Sequence, residues 1–233
     1  SGKKRQELPK SAPAGASQPT SAGEGILYVV ATPIGNLEDL SPRARRILAE
    51  VNAVLCEDTR MTAKLLNAYG IAYGPEWPLE RADQHLSAGR LAAFVDRLVA
   101  GEKLALVSDA GTPAISDPGA DLVRAASDAG ISVVVVPGPS ALSAFLSGAG
   151  FPEGSPIFRG FFPRKNADRE RECDQAAALP FDSAWIWFES PERVEESVAF
   201  LARRFPEAPG AVANELTKVY ERFYRGNLAE ITS

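Results

Sequence analysis

The sequence predicts an α/β protein built on parallel strands flanked by helices. Three observations lead there. Strand-like and helix-like segments alternate from Gly25 onward. The strand candidates are aliphatic, β-branched runs without clean polar alternation, the pattern of strands covered on both faces. The helix candidates carry apolar stripes at i, i+3, i+4 and i+7, and several open on a capping residue or a proline.

Residues 26–31 form the first strand candidate. A helix follows from Ser41-Pro42, a cap residue with proline at the first helical position. Its stripe is Ala44, Ile47, Leu48 and Val51. Residues 53–57 make a second strand, and 61–69 a helix. Residues 74–82 hold Gly74, Pro75 and Pro78 and read as a loop. The next helix shows Leu91, Phe94, Val95, Leu98 and Val99 on one face. Residues 104–107 form a strand. Asp117-Pro118 caps a helix with stripe Leu122, Ala125, Ala126 and Ala129. A fully apolar strand at 132–136 and a helix at 139–148 complete a first α/β unit over 25–150.

Gly148, Gly150, Pro152, Gly154 and Pro156 then cluster as a hinge. Beyond it come a helix near 168–178, a strand at 183–188 and a helix opening at Ser190-Pro191. That helix has its stripe at Val194, Val198, Leu201 and Phe205. Strand-like runs at 211–215 and 219–224 close a shorter second α/β unit, 151–233.

The 233 residues suffice for one or two domains with real cores. The net charge of −5 argues against a small basic nucleic-acid module, so any RNA contact is expected from local basic patches. Residues 1–24 carry +2, so the rest carries −7. Those first residues read as a disordered tail or an expression remnant. Two cysteines and one histidine exclude a Cys/His zinc site and a disulfide scaffold. Isolated thiols fit a reducing compartment, and no apolar run approaches a membrane span. A soluble cytoplasmic protein is expected.

Chemistry concentrates in three loops that follow strands. They are Thr32-Pro33-Ile34-Gly35-Asn36-Leu37, the stretch from Ser108 to Gly119, and Pro137-Gly138-Pro139-Ser140-Ala141. Each joins glycine, which admits close approach to the backbone, with stiffening proline. In open α/β sheets, ligands gather beyond the carboxyl ends of strands. No GxGxxG, P-loop or GxSxG pattern occurs. His85 reads as a surface or packing residue.

An ordered set of blocks carries a family resemblance. LYVVATPIGNLEDL (27–40), EDTR (57–60), SDAGTPAISDPG (108–119), PGPSA (137–141), GFFPRK (160–165), FESP (188–191) and ELTK (215–218) resemble the signature of the bacterial ribosomal RNA small subunit methyltransferase I family. That family lies within the tetrapyrrole methylase superfamily. The resemblance implies two α/β domains with S-adenosyl-L-methionine in the cleft between them. It implies 2′-O-methylation of a cytidine ribose in small-subunit (16S) rRNA, free or in the assembled subunit, by a homodimer. Carried over loop by loop, it puts Pro33, Gly35, Ser108, Asp109, Ala110, Gly111, Thr112, Ile115, Pro137, Gly138, Pro139, Ser140, Ala141 and Glu215 on the donor. Backbone N–H groups near Gly111 and Thr112 suit its carboxylate. Asp109 suits its ammonium or a ribose hydroxyl. Glu57, Asp58, Glu215 and Lys218 are candidates for the general base, and Arg60 for holding a carboxylate or phosphate. The alternative for the EDTR block is a capped helix start with a local ion pair.

Arg159, Arg164, Lys165, Arg169 and Arg171 are either a solvated face or an rRNA patch, with Phe161 and Phe162 beside them for stacking or core packing. Three departures from the family stand out. Asp83-Gln84-His85-Leu86 replaces a His-Glu-His-Asn-like block. Asn214 stands where arginine is common. The second domain is expected to be truncated. The alternatives are a tetrapyrrole-precursor methyltransferase of the same superfamily and a non-catalytic donor-binding protein.

Overall fold

A computed structural model describes residues 25–116, 119–151, 154–179 and 182–231. The tail at 1–24, the Asp117-Pro118 cap and Pro152 of the hinge lie outside the described residues.

The first strands are β1 (Ile26–Val30), β2 (Ala53–Cys56), β3 (Leu79–Arg81), β4 (Lys103–Leu106) and β5 (Ser132–Val136). They form one parallel sheet in the order β3-β2-β4-β1-β5. The helices between them are α1 (Pro42–Glu50), α2 (Thr59–Ala68), α3 (Ala88–Val99) and α4 (Ala120–Asp128), with α5 (Ala141–Ala149) after β5. The period-2 alternation of each strand feeds two cores. Val30, Val54, Cys56, Ala105 and Val107 pack with α1 and α2 residues. Leu27, Leu55, Leu104 and Leu106 pack with Phe94 and Leu98 of α3 and Leu122 and Ala126 of α4. Covering both faces is why these strands read as continuous apolar runs.

Helix α1 starts as its sequence dictates. Ser41 accepts from the Ala44 N–H at 3.0 Å, and Pro42 occupies the first turn. Its stripe Ala44, Ile47, Leu48 and Val51 is buried. Other expectations need correction. Residues 74–82 contain β3, a short edge strand paired with β2; the flanking prolines and charged Glu80 and Arg81 hid it. Strand β5 is at the opposite edge, so Val135 is exposed rather than covered. Val99 is exposed, as is Ala129. Helix α4 has Gly119 at its cap position, with φ 123° and no side-chain cap bond.

Beyond residue 150 come β6 (Ser155–Phe161), α6 (Asn166–Ala177), β7 (Ser183–Phe188), α7 (Val194–Arg204), β8 (Pro209–Asn214), β9 (Arg222–Asn227) and α8 (Leu228–Ile231). Strands β6 and β7 pair in parallel, β8 and β9 antiparallel. Pro156 and Gly160 punctuate β6, so its local sequence does not show a strand; its register shifts between Phe158 and Phe161, where Gly160 takes φ 73°. Ser190-Pro191 opens a turn, and α7 begins later, at Val194. Its buried residues are Ser197 and Phe200, off the expected stripe. Val219 and Tyr220 lie exposed in the β8–β9 loop rather than in a strand. The ring of Phe223 on β9 stacks on Phe145 of α5 at 6.3 Å, joining this part to the first sheet's last helix.

Candidate functional site

Strands β1 and β4 are neighbours, yet the chain leaves them in opposite directions, β1 toward β2 and β4 toward β5. Their carboxyl ends therefore mark a topological switch point, the place where open α/β sheets hold ligands in a crevice. The β1 and β4 loops meet there by a reciprocal backbone pair. Thr32 N–H donates to Gly111 O at 2.9 Å, and Gly111 N–H to Thr32 O at 3.0 Å. Buried Thr32 adds its hydroxyl to Ser108 O at 3.1 Å, and Ser108 its own to Gly111 O at 3.1 Å. The Thr112 hydroxyl donates to Pro139 O at 3.0 Å, tying in the β5 loop. Ala31 N–H donates to Val136 O at 3.2 Å.

Glycines permit this closeness. A Cβ on Gly138 would stand 3.0 Å from the Ala31 Cβ. Gly111, at φ 89°, would place one 3.3 Å from Ile34 Cγ2. Thr32 joins the β1 and β4 loops, while Thr112 and Ala31 tie in the β5 side. The Gly111 N–H, expected to meet a ligand carboxylate, is instead committed to Thr32. The α5 N-terminus still presents first-turn N–H groups, because Ser140 makes no side-chain cap bond.

The β2 loop joins from one side. Asp58 N–H donates to Asp109 Oδ1 at 3.2 Å. Asp58 caps α2 by accepting from Arg60 N–H at 2.8 Å, and takes Arg60 Nη2 at 2.7 Å and Nε at 3.1 Å. The Arg60 hydrogen bonds hold the Asp58 carboxyl well below the usual carboxylate range. This is the capped helix start with a local ion pair. Asp58 is thereby drawn to Arg60 rather than left open, and the exposed Arg60 holds a carboxylate, that of Asp58. Glu57 differs. Burial first, then the charges of Asp109 and Asp83, push its carboxyl up. Asp83, the first residue of the stretch that departs from the family, thus belongs to the site's electrostatics.

The β8–β9 loop reaches the crevice from the other side. Lys218 Nζ pairs with Glu215 Oε1 at 3.0 Å. A Cβ on Gly35 would lie 2.5 Å from Lys218 Cγ and 3.1 Å from Leu216 O. Glu215 and Thr217 have φ of 54° and 67°. Left-handed backbone at a β-branched residue is strained, a condition that clusters at functional sites. The Thr217 hydroxyl is buried without a hydrogen-bond partner among the described residues. Ala114 and Ser116 are also left-handed, in the loop that carries Ile115. The structure thus gathers Pro33, Gly35, Ser108, Asp109, Ala110, Gly111, Thr112, Pro137 to Ala141, Glu57, Glu215 and Lys218 around one end of the sheet.

The basic stretch does not join them as a patch. Arg169 is 2% exposed, bonds Pro163 O at 2.8 Å and Glu196 at 2.6 Å, and lies over the Phe162 and Phe200 rings. It is a core residue. Arg159 pairs with Glu172, and Arg171 with Asp168. Only Arg164 and Lys165 of the five are exposed and without an ion pair among the described residues. Phe162 is buried, and Phe161 is exposed. His85 is exposed, and no metal-binding cluster occurs among the described residues.

A switch-point crevice lined by Gly/Pro loops on this strand order defines a class. The sequence matches the family Tetrapyrrole (Corrin/Porphyrin) Methylases over residues 26–232, and the chain belongs to that family. The solved structure of the methyltransferase CobJ shares the fold, with a TM-score of 0.63 at 18% identity over 89% of this chain and 88% of that one. The particular relatives are sharper. A Pseudomonas aeruginosa protein is 46% identical over 89% of this chain and 72% of its own length. One from Xylella fastidiosa is 47% identical over 89% and 74%. Both are named ribosomal RNA small subunit methyltransferase I.

Proposed function

We propose that this protein methylates the ribose 2′-hydroxyl of a cytidine in small-subunit rRNA, with S-adenosyl-L-methionine as methyl donor. The observation that carries the reading is the convergence of five of the seven sequence blocks, distant along the chain, on one end of the sheet. The names of relatives at 46–47% identity supply the substrate. The 18% likeness to CobJ supports the fold and leaves a tetrapyrrole substrate without support of its own.

The residues present fit the donor. It carries a sulfonium, an ammonium and a carboxylate. The carboxylates of Glu57, Asp83 and Asp109 crowd one side of the crevice, and their mutual repulsion at Glu57 is relieved by a cationic ligand. The uncapped N-terminus of α5, beside Pro139 and Ser140, suits the carboxylate. Gly35, Gly111 and Gly138 leave room against the loop backbones. The donor supplies an activated methyl group, so the protein's task is chiefly to position the ribose oxygen in line. Glu57 is the general base: burial and the neighbouring carboxylates raise its carboxyl above the usual range, which makes it a better proton acceptor than an ordinary exposed glutamate. That proton passes to a Glu57 carboxylate oxygen as the ribose oxygen gains the methyl. Lys218, held by Glu215, sets the β8–β9 loop against Gly35 and closes the crevice.

The domain division at residue 150, the cytoplasmic site of action and the homodimer belong to the same reading. Among the described residues no helix is long and apolar enough to cross a membrane. Exposed Val219, Tyr220 and Tyr224 offer apolar surface for a second copy. The test is transfer of labelled methyl to purified small ribosomal subunits, with a porphyrinogen as the competing acceptor. Label on rRNA supports the proposal. Label on the tetrapyrrole alone, or on neither while donor binds, overturns it.

A further inference from the structure

Beside the crevice, on the α3–α4 side of the sheet, lies a separate cavity of about 230 Å³. Its floor is apolar and buried: Ala82, Leu106 and Leu122. Leu86 and Leu91 form a half-buried wall. Its polar rim is Asp83, Gln84 and Asp121. Asp83 is already engaged, pairing with Arg81 at 2.7 Å and accepting from His85 N–H at 3.0 Å. Gln84 and Asp121 are exposed and make no side-chain hydrogen bond or ion pair among the described residues. The cavity is smaller than the roughly 300 Å³ at which pockets for drug-sized ligands begin. It suits one flat ring with a polar edge.

We propose that this cavity seats the target pyrimidine, and that Asp121 with Gln84 selects cytosine over uracil. The inference rests on the function proposed above and names a specificity site within it. Enzymes that do chemistry on a base take it out of the stack and read its Watson–Crick edge, and an enzyme that selects a base beside the ribose it modifies can read that edge in the same way. Cytosine presents an amino donor at position 4 and an acceptor at position 3. A carboxylate accepts from the first, and a carboxamide N–H donates to the second. Uracil presents a carbonyl at position 4, so the Asp121 carboxylate repels it. Asp83 links the two sites: it rims the cavity, and its charge acts on Glu57. The dipole of α4 accounts for an acidic residue in its first turn but not for base selection, so the test reads selection.

Wild type, Asp121→Asn and Gln84→Ala are assayed on reconstituted small subunits carrying cytidine or uridine at the methylated position. Donor affinity is measured alongside by calorimetry. Wild type is expected to prefer cytidine by roughly 5- to 150-fold in kcat/KM, the range of one good polar pair. Asp121→Asn is expected to bring that ratio close to one, largely by gaining activity on uridine, with donor affinity unchanged. Gln84→Ala lowers the ratio partway and serves alone if Asp121→Asn does not fold. A wild type indifferent to the base overturns the inference, as do variants that keep the wild-type ratio. Donor affinity that falls with activity would assign the cavity to the donor instead. Wild type that methylates neither substrate overturns the proposed function, and this inference with it.

Discussion

Replacing Gly35 by alanine should separate catalysis from stability. The added Cβ would lie 2.5 Å from Lys218 Cγ and 3.1 Å from Leu216 O. Carbon atoms in contact settle near 3.5–4.0 Å, so the β8–β9 loop must retreat by about 1 Å. Lys218 is half exposed and can swing aside, but the Leu216 carbonyl is backbone and moves only with its loop. A 1 Å misplacement of a positioning element costs on the order of 100-fold in rate. Stability should change by less than about 1 kcal/mol, because the contact is between surface loops. Methyl transfer to small subunits, donor calorimetry and thermal unfolding are measured together. Lys218→Ala removes the clashing Cγ, so the double variant should fall less below Lys218→Ala alone than Gly35→Ala falls below wild type. A Gly35→Ala protein with wild-type kcat/KM would refute the closure of the crevice by this loop. So would one whose melting temperature falls as steeply as its activity.

Three further outcomes follow from the same geometry. Glu57→Gln should cut the rate by roughly 10²- to 10⁴-fold at pH 7. In wild type the rate should rise as pH climbs through the raised Glu57 value. Because the folded state favours the protonated carboxyl, the destabilisation from Glu57 is absent at low pH and sets in as pH rises through that value. Glu57→Gln should therefore unfold later than wild type at pH 7 and show little difference at pH 4, by denaturant titration. Arg169→Met should cost about 1–2 kcal/mol from two cation–π contacts and the bond to Pro163 O, or roughly 2–8 °C in melting temperature, with rRNA affinity unchanged in filter binding. Thr32→Val removes the hydroxyl bond to Ser108 O; it should cost about 1–2 kcal/mol in chemical denaturation and weaken donor binding.

Much of this architecture is written in local pattern. The Ser41-Pro42 cap, the α1 stripe and the aliphatic strands are short-range signals, and the structure follows them. The three Gly/Pro loops are legible because proline and glycine restrict backbone locally. What fails to show is set by distant partners. Strand β3 exists because β2 is there to pair with it, despite Pro75 and Pro78. Strand β6 tolerates Pro156 and Gly160 because β7 supplies its other side and a bulge absorbs the irregularity. Arg169 looks like surface charge until α6 is packed beside Phe162 and Phe200. Within the site, loop identity is visible and hydrogen-bond bookkeeping is not. Nothing adjacent in sequence says that Gly111 N–H is spent on Thr32, whereas the Asp58–Arg60 pair, two residues apart, is a local signal legible in the EDTR block.

The charge of −7 outside the first 24 residues makes an RNA substrate the boldest element, the more so as three of the five arginines and lysines near β6 and α6 are paired internally. Nucleoside analysis of small-subunit rRNA after incubation with the protein and labelled donor tests it most directly. Label is expected in 2′-O-methylcytidine alone, at a single position. Label in a base-methylated nucleoside, or none in rRNA with active, donor-bound protein, would contradict it.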